Sequence, residues 1–65
     1  MSIGDNIKRY RTAKEVTQTE LAEAVGINQS MIAQLERGTK VLSVPLGKSI
    51  ASFLGVPFEE LIKES

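Results

Sequence analysis

Apolar residues recur along this chain at helical spacing, and most of the runs are bracketed by a capping residue in front and a glycine behind. The clearest run lies between Thr17 and Gly38, TQTELAEAVGINQSMIAQLERG. Thr17 is suited to an N-cap, and Glu20 three residues later completes a capping box by reaching back to the Thr17 backbone N–H. Val16 and Leu21 have the spacing of a hydrophobic staple across that cap. The spacing therefore predicts a helix from Gln18 to Val25, closed by Gly26, which turns left-handed without the penalty of a side chain. Asn28 is a good cap for the next helix, and Ile27 and Ile32 repeat the staple spacing. That helix occupies residues 28–37 and ends at Gly38.

The remaining runs extend the same pattern. Ser2 is placed to cap a first helix, with Asp5 in its first turn at the positive end of the dipole. Ile3, Ile7 and Tyr10 or Arg11 give that helix an inward stripe. Gly38 to Ser43 reads as a loop, and Pro45 fits only the first turn of a fourth helix, where its missing N–H is harmless. Leu46, Ile50, Phe53 and Leu54 form the apolar stripe of that helix and are expected in the core, and Gly55 ends it. Pro57 opens a short fifth helix with Glu59 and Glu60 in its first turn and Leu61 and Ile62 turned inward. Phe58 is left over, either buried or on a patch that pairs with a second copy. The sum is an all-α chain: a compact bundle of five short helices forming one domain over residues 1–65, with helices 2 and 3 in a helix-turn-helix arrangement.

The outward face of the third helix carries the chemistry. At about 100° per residue, Ile32, Leu35 and part of Glu36 fall inward, Met31 sits on the boundary, and Gln29, Ser30, Ala33, Gln34 and Arg37 fall outward. An ordinary solvated face alternates lysine and glutamate, but this one has amides, a hydroxyl and an arginine, and is nearly free of acids. Those groups suit base edges: glutamine pairs bidentately with adenine, serine is adaptable, and a small alanine allows close approach to a thymine methyl.

These residues resemble the helix-turn-helix of the phage Cro and C1 repressor family, also called XRE-like, and in particular the 434-type repressors. The shared residues are Thr17, Gln18, Glu20, Leu21, Ala22, Val25, Gly26, Gln29, Ile32, Gln34, Leu35, Glu36 and Gly38, and the likeness continues through Ile50–Val56 and Leu61. The resemblance implies the lambda-repressor-like fold and a transcriptional regulator, a repressor by analogy, that places helix 28–37 in the major groove of double-stranded DNA at a palindromic operator. It implies base contacts from Gln29 first, then Ser30, with Ala33 allowing close approach and Gln34, one turn on, reaching a further base pair or a phosphate. Arg37 completes the outward face. The resemblance implies phosphate contacts for Gln18 at a helix N-terminus and for Thr39 and Lys40 in the loop, and position alone adds the Asn28 backbone, with Lys48 and Arg9 as lesser candidates. The family pattern and the helix phase also imply a salt bridge from Arg11 to Glu36 that orients the third helix. Ser30 departs from the 434-type pattern, where a second glutamine often sits, so the resemblance does not carry over the preferred bases. The loop departs too, with Leu42 where the family often has proline.

Composition narrows the alternatives. Sixty-five residues bury only about 60% of the surface of the unfolded chain, and no separate sensing domain is expected within them. Without cysteine or histidine there is no disulfide and none of the usual zinc ligands, so no metal and no cofactor are expected. The same absence, with no glycine-rich phosphate loop and no paired acids, argues against an enzyme and against a small-molecule substrate. Nothing resembles a signal peptide or a run of roughly 18 apolar residues, so no membrane partner and a soluble, cytoplasmic protein are expected.

Eight basic and eight acidic residues cancel, which is unusual for a binder of DNA. Their distribution is uneven, since residues 1–48 hold seven cations against five anions and residues 49–65 hold one against three. Weak non-specific affinity and a shallow salt dependence are expected. A homodimer on an inverted repeat would double the base contacts, and with no separate dimerisation domain the dimer could be one that forms only on DNA. Zero net charge keeps open a protein-protein interaction module, and nothing in the sequence excludes a toxin-neutralising antitoxin built on the same fold.

Overall fold

A computed structural model describes residues 2–64, in which five helices follow one another: α1 Ile3–Ala13, α2 Gln18–Val25, α3 Gln29–Arg37, α4 Val44–Leu54 and α5 Phe58–Leu61. Three of the starts are fixed by side chains the sequence places there. Ser2 Oγ accepts from the Asp5 N–H while the Asp5 carboxylate accepts from the Ser2 N–H, both at 3.1 Å. Thr17 and Glu20 form the same reciprocal box at 3.0 and 2.8 Å. Asn28 Oδ1 accepts from the Met31 N–H at 2.9 Å. The fourth start, where Ser43 caps the Leu46 N–H at 3.3 Å with Pro45 in the first turn, puts the end of the loop where the proline requires it.

Helix α2 stops because Gly26 adopts φ 79° and ψ 30°, which lets the Ile27 N–H fold back onto the Ala22 carbonyl at 2.9 Å. The end of α1 uses the same closure without a glycine. Glu15 sits at φ 58°, the only positive φ outside glycine among the described residues, and the Val16 N–H reaches the Arg11 carbonyl at 3.1 Å. Left-handed backbone in a residue with a side chain is strained, so α1 ends there at a local cost.

Helix α3 packs between α1 and α2, while α4 covers α2 and α5 ties α4 back to α1. Every helix contributes to one core: Ile7, Leu21, Ile32, Ile50, Leu54 and Leu61 are all fully buried. The approach of α1 to α3 is so close that a Cβ on Gly4 would lie 2.4 Å from the Glu36 carbonyl oxygen and 2.5 Å from that of Leu35. Asn6 is the one polar residue buried as a whole, backbone and side chain together, among the described residues. Its amide donates to the carbonyls of Leu61 at 3.0 Å and Lys63 at 2.6 Å, which pins the segment after α5 to α1.

The apolar stripe of α4 is rotated from the expected one. Gly47, Ile50, Ala51 and Leu54 are buried, Leu46 is half-buried, and Phe53 is 46% exposed. Two small residues let the inward arc centre on their side of the helix, which places Phe53 about 110° from its middle. Phe53 is therefore not a core residue. Phe58 is half-buried against Gly47, and Ile62 lies just past α5, also half-buried. Among the described residues no helix is long and apolar enough to cross a membrane.

Candidate nucleic-acid interface

The exposed side of α3 presents Gln29, Ser30, Gln34 and Arg37, with Ala33 and Met31 half-buried at its margins and Ile32 and Leu35 in the core. Gln29, Ala33 and Arg37 lie in one file and Ser30 and Gln34 in the next, with successive members of a file about 6 Å apart along the axis. The acid of this helix, Glu36, is drawn inward and leaves the outer face uncharged apart from Arg37. Its side chain is only 5% exposed, against 13% for that of Arg11, whose Nε lies 2.6 Å and Nη2 3.2 Å from the two carboxylate oxygens. A two-point contact between guanidinium and carboxylate fixes direction as well as distance. The remaining Arg11 nitrogen, Nη1, donates to the Val16 carbonyl at 2.8 Å, so the pair joins α1, the turn into α2, and α3.

From Glu36 the contacts continue to the surface. Gln18 Nε2 donates to Glu36 Oε1 at 2.9 Å, and Gln29 Nε2 donates to Gln18 Oε1 at 2.6 Å. The first turn of α2 and the first turn of α3 are thus bridged by their glutamines. Gln18, expected near a phosphate, and Gln29, expected on a base, stand side by side.

The other expected contact residues are placed as follows. The Asn28 side chain is occupied by its cap, and the residue is exposed. Thr39 Oγ1 donates to the Gln34 carbonyl at 3.2 Å, closing the end of α3, and Lys40 is exposed beside it. Lys48 lies 6.0 Å from the Phe58 ring, on the α4 and α5 side, and Arg9 stacks 4.9 Å from the Tyr10 ring on α1. Neither joins the cluster around Gln18 and Gln29. The bridge between those two glutamines has no signal in the sequence, because it joins residues 11 apart through a turn whose path only the fold defines. Asn6 is hidden in the same way, with partners 55 and 57 positions away.

Two short helices crossing at a glycine turn, the second offering a polar face to solvent and held from behind by the first helix of the bundle, make this a helix-turn-helix domain. The chain belongs to the helix-turn-helix family of Cro/C1 type, whose sequence pattern matches residues 7–61. It is similar to the antitoxin PezA of Streptococcus pneumoniae serotype 4, 34% identical over 62 residues, which cover 95% of this chain and 39% of that protein. It is also similar to the immunity repressor of Bacillus phage phi105, 30% identical over 64 residues, 98% of this chain and 44% of the repressor. The chain thus spans less than half the length of these two relatives. Among solved structures, the N-terminal DNA-binding domain of SinR from Bacillus subtilis superposes with a TM-score of 0.88 at 31% identity, over 97% of this chain and 93% of that one.

Proposed function

We propose that this chain is a cytoplasmic transcriptional regulator, a repressor in type, that binds double-stranded DNA sequence-specifically with α3 in the major groove. The observation that carries the reading is the outer face of α3, where the one acid of the helix is turned into the core and Gln29 is held in place by Gln18. A face built to hydrate has no need of a tethered amide; a face that must meet base edges at fixed positions does. Gln29, Ser30, Ala33 and Gln34 meet the bases. Gln18, the Asn28 backbone, Arg37, Thr39 and Lys40 approach the phosphates. Two copies bind an inverted repeat with half-sites about 34 Å apart, because one helix reading a few base pairs discriminates by only ~1–3 kcal/mol at each.

The test is selection of bound duplexes from a random library at near-physiological salt, repeated with Gln29→Ala. An inverted repeat that relaxes at defined positions in the variant, bound by two chains per site, supports the reading. No enrichment from a protein that is folded by circular dichroism refutes it. The likeness to PezA favours a second reading, an antitoxin that binds both a toxin and its own operator. A toxin reading frame beside the gene, whose product co-purifies with this chain, would distinguish it.

A further inference from the structure

The contacts behind Gln29 have a direction. A carboxylate only accepts hydrogen bonds, so Glu36 admits the N–H side of the Gln18 amide and excludes its carbonyl side. With Gln18 Nε2 committed to Glu36 at 2.9 Å, Gln18 Oε1 is the atom left to face α3, and it takes one N–H of Gln29 at 2.6 Å. Gln29 then offers its Oε1 and its second N–H outward. An acceptor beside a donor matches adenine, which presents N6–H and N7 in the major groove, whereas guanine presents two acceptors, O6 and N7. Were both amides reversed, Gln29 would offer two N–H groups, the set that guanine accepts.

The geometry points to Glu36 as a specificity-determining positioning residue that makes Gln29 a reader of adenine by fixing the polarity of two glutamine amides in series. Its buried side chain acts without reaching the DNA, and Arg11 keeps it in place from behind. The inference rests on the reading of α3 as the base-contacting helix.

The test compares Gln29→Ala, Glu36→Gln and Gln18→Ala with the parent in the same duplex selection, with folding followed by circular dichroism. Gln29→Ala locates the base pair that Gln29 reads. In Glu36→Gln the new amide can face Gln18 with either end, so the preference for adenine over guanine at that base pair is expected to fall about tenfold, the order of one bidentate contact. Glu36→Gln also removes the charge opposite Arg11. If that variant does not fold, Gln18→Ala decides, because it leaves the ion pair intact and cuts the series at its middle. It is expected to relax the same base pair, whereas loss of a phosphate contact alone would weaken all duplexes alike and leave the preference unchanged. An undiminished adenine preference in the folded variants, at a base pair where Gln29→Ala loses it, overturns the role of Glu36 and leaves the base-reading assignment standing. A selection that Gln29→Ala does not alter at any position overturns both.

Discussion

Replacing Gly4 by alanine should separate the helix that supports the site from the helix that forms it. The added Cβ would sit 2.4 Å from the Glu36 carbonyl oxygen, 2.5 Å from that of Leu35 and 2.8 Å from the Glu36 carbonyl carbon, so α1 and α3 must part by about 1 Å to restore ordinary contact. These are backbone atoms in the last turns of a packed helix and cannot swing aside. Overpacking of this kind costs about 1–3 kcal/mol, and the entropy advantage of alanine in a helix returns about 0.5–1 kcal/mol. A net loss of about 1–2 kcal/mol is a large share of the ~3–10 kcal/mol expected for a domain of this size. At about 4–8 °C per kcal/mol, the thermal midpoint should drop by about 10 °C. Gly47→Ala is the control, since its Cβ would meet Phe58 Cε1 at 2.7 Å and Leu42 Cδ2 at 3.2 Å, side-chain atoms that can move. Thermal melts by circular dichroism should show Gly4→Ala well below Gly47→Ala. A Gly4→Ala midpoint at or above the parent's would refute the argument that α1 and α3 are in backbone contact there.

Three further outcomes follow from the same geometry. Glu15→Gly should stabilise by about 0.5–1 kcal/mol, the relief of left-handed strain at φ 58° less the extra freedom glycine gives the unfolded chain, read as a higher urea midpoint at unchanged slope. Asn6→Leu should destabilise by about 1–3 kcal/mol, because the carbonyls of Leu61 and Lys63 lose their donor, with faster amide exchange in residues 58–64; an unchanged midpoint would mean that water replaces both bonds. The Ser2 backbone N–H, and then its hydroxyl, hold the Asp5 carboxyl below its ordinary value, so the folded state favours the carboxylate. That contribution is complete above the ordinary carboxylate range near about pH 4 and is lost as pH falls through the lowered folded value. Parent and Asp5→Asn should therefore differ at neutral pH and converge in acid; a gap in stability that does not close on acidification would count against the cap.

What the sequence discloses is what acts over a few residues. The Ser2 cap, the box at Thr17, the Asn28 cap and the closure at Gly26 each join groups three to five positions apart and are legible from residue type and spacing, whereas the return bond from the Ser2 N–H to Asp5 is added by the structure. The outer face of α3 is legible for the same reason, since helix phase alone separates Gln29, Ser30, Gln34 and Arg37 from Ile32 and Leu35. The position of Phe53 is misread because phase gives the direction of a stripe only after the neighbours are known: Gly47 and Ala51 carry too little apolar weight to announce that α4 turns their side inward. The turn at Glu15 is invisible because a glutamate gives no hint of left-handed backbone. Asn6 reads as one more polar residue on a surface helix until α5 brings two carbonyls to it. At the site, the Arg11 to Glu36 pair is implied by resemblance, whereas the bridge from Gln18 to Gln29 needs the crossing of two helices to exist at all.

The electroneutral composition and the ordered glutamines bear on each other. Affinity for DNA that comes from neutralised phosphates grows with the number of cations brought to the backbone, and eight cations against eight anions leave little of it. A domain so placed must gain its discrimination from directional contacts, and those are weakened when a long side chain has to be immobilised on binding. Fixing a glutamine costs up to about 1.5–2 kcal/mol of rotamer freedom. Here part of that cost falls on folding, because Gln18 is anchored to a carboxylate that is itself held at two points by Arg11, and Gln29 is anchored to Gln18. If α3 meets DNA as proposed, the chain of contacts thus moves part of the ordering cost from binding to folding. On this argument, cutting it at Gln18 should reduce the preference among DNA sequences more than it changes the dependence of binding on salt, the opposite of what loss of a simple cationic contact would do.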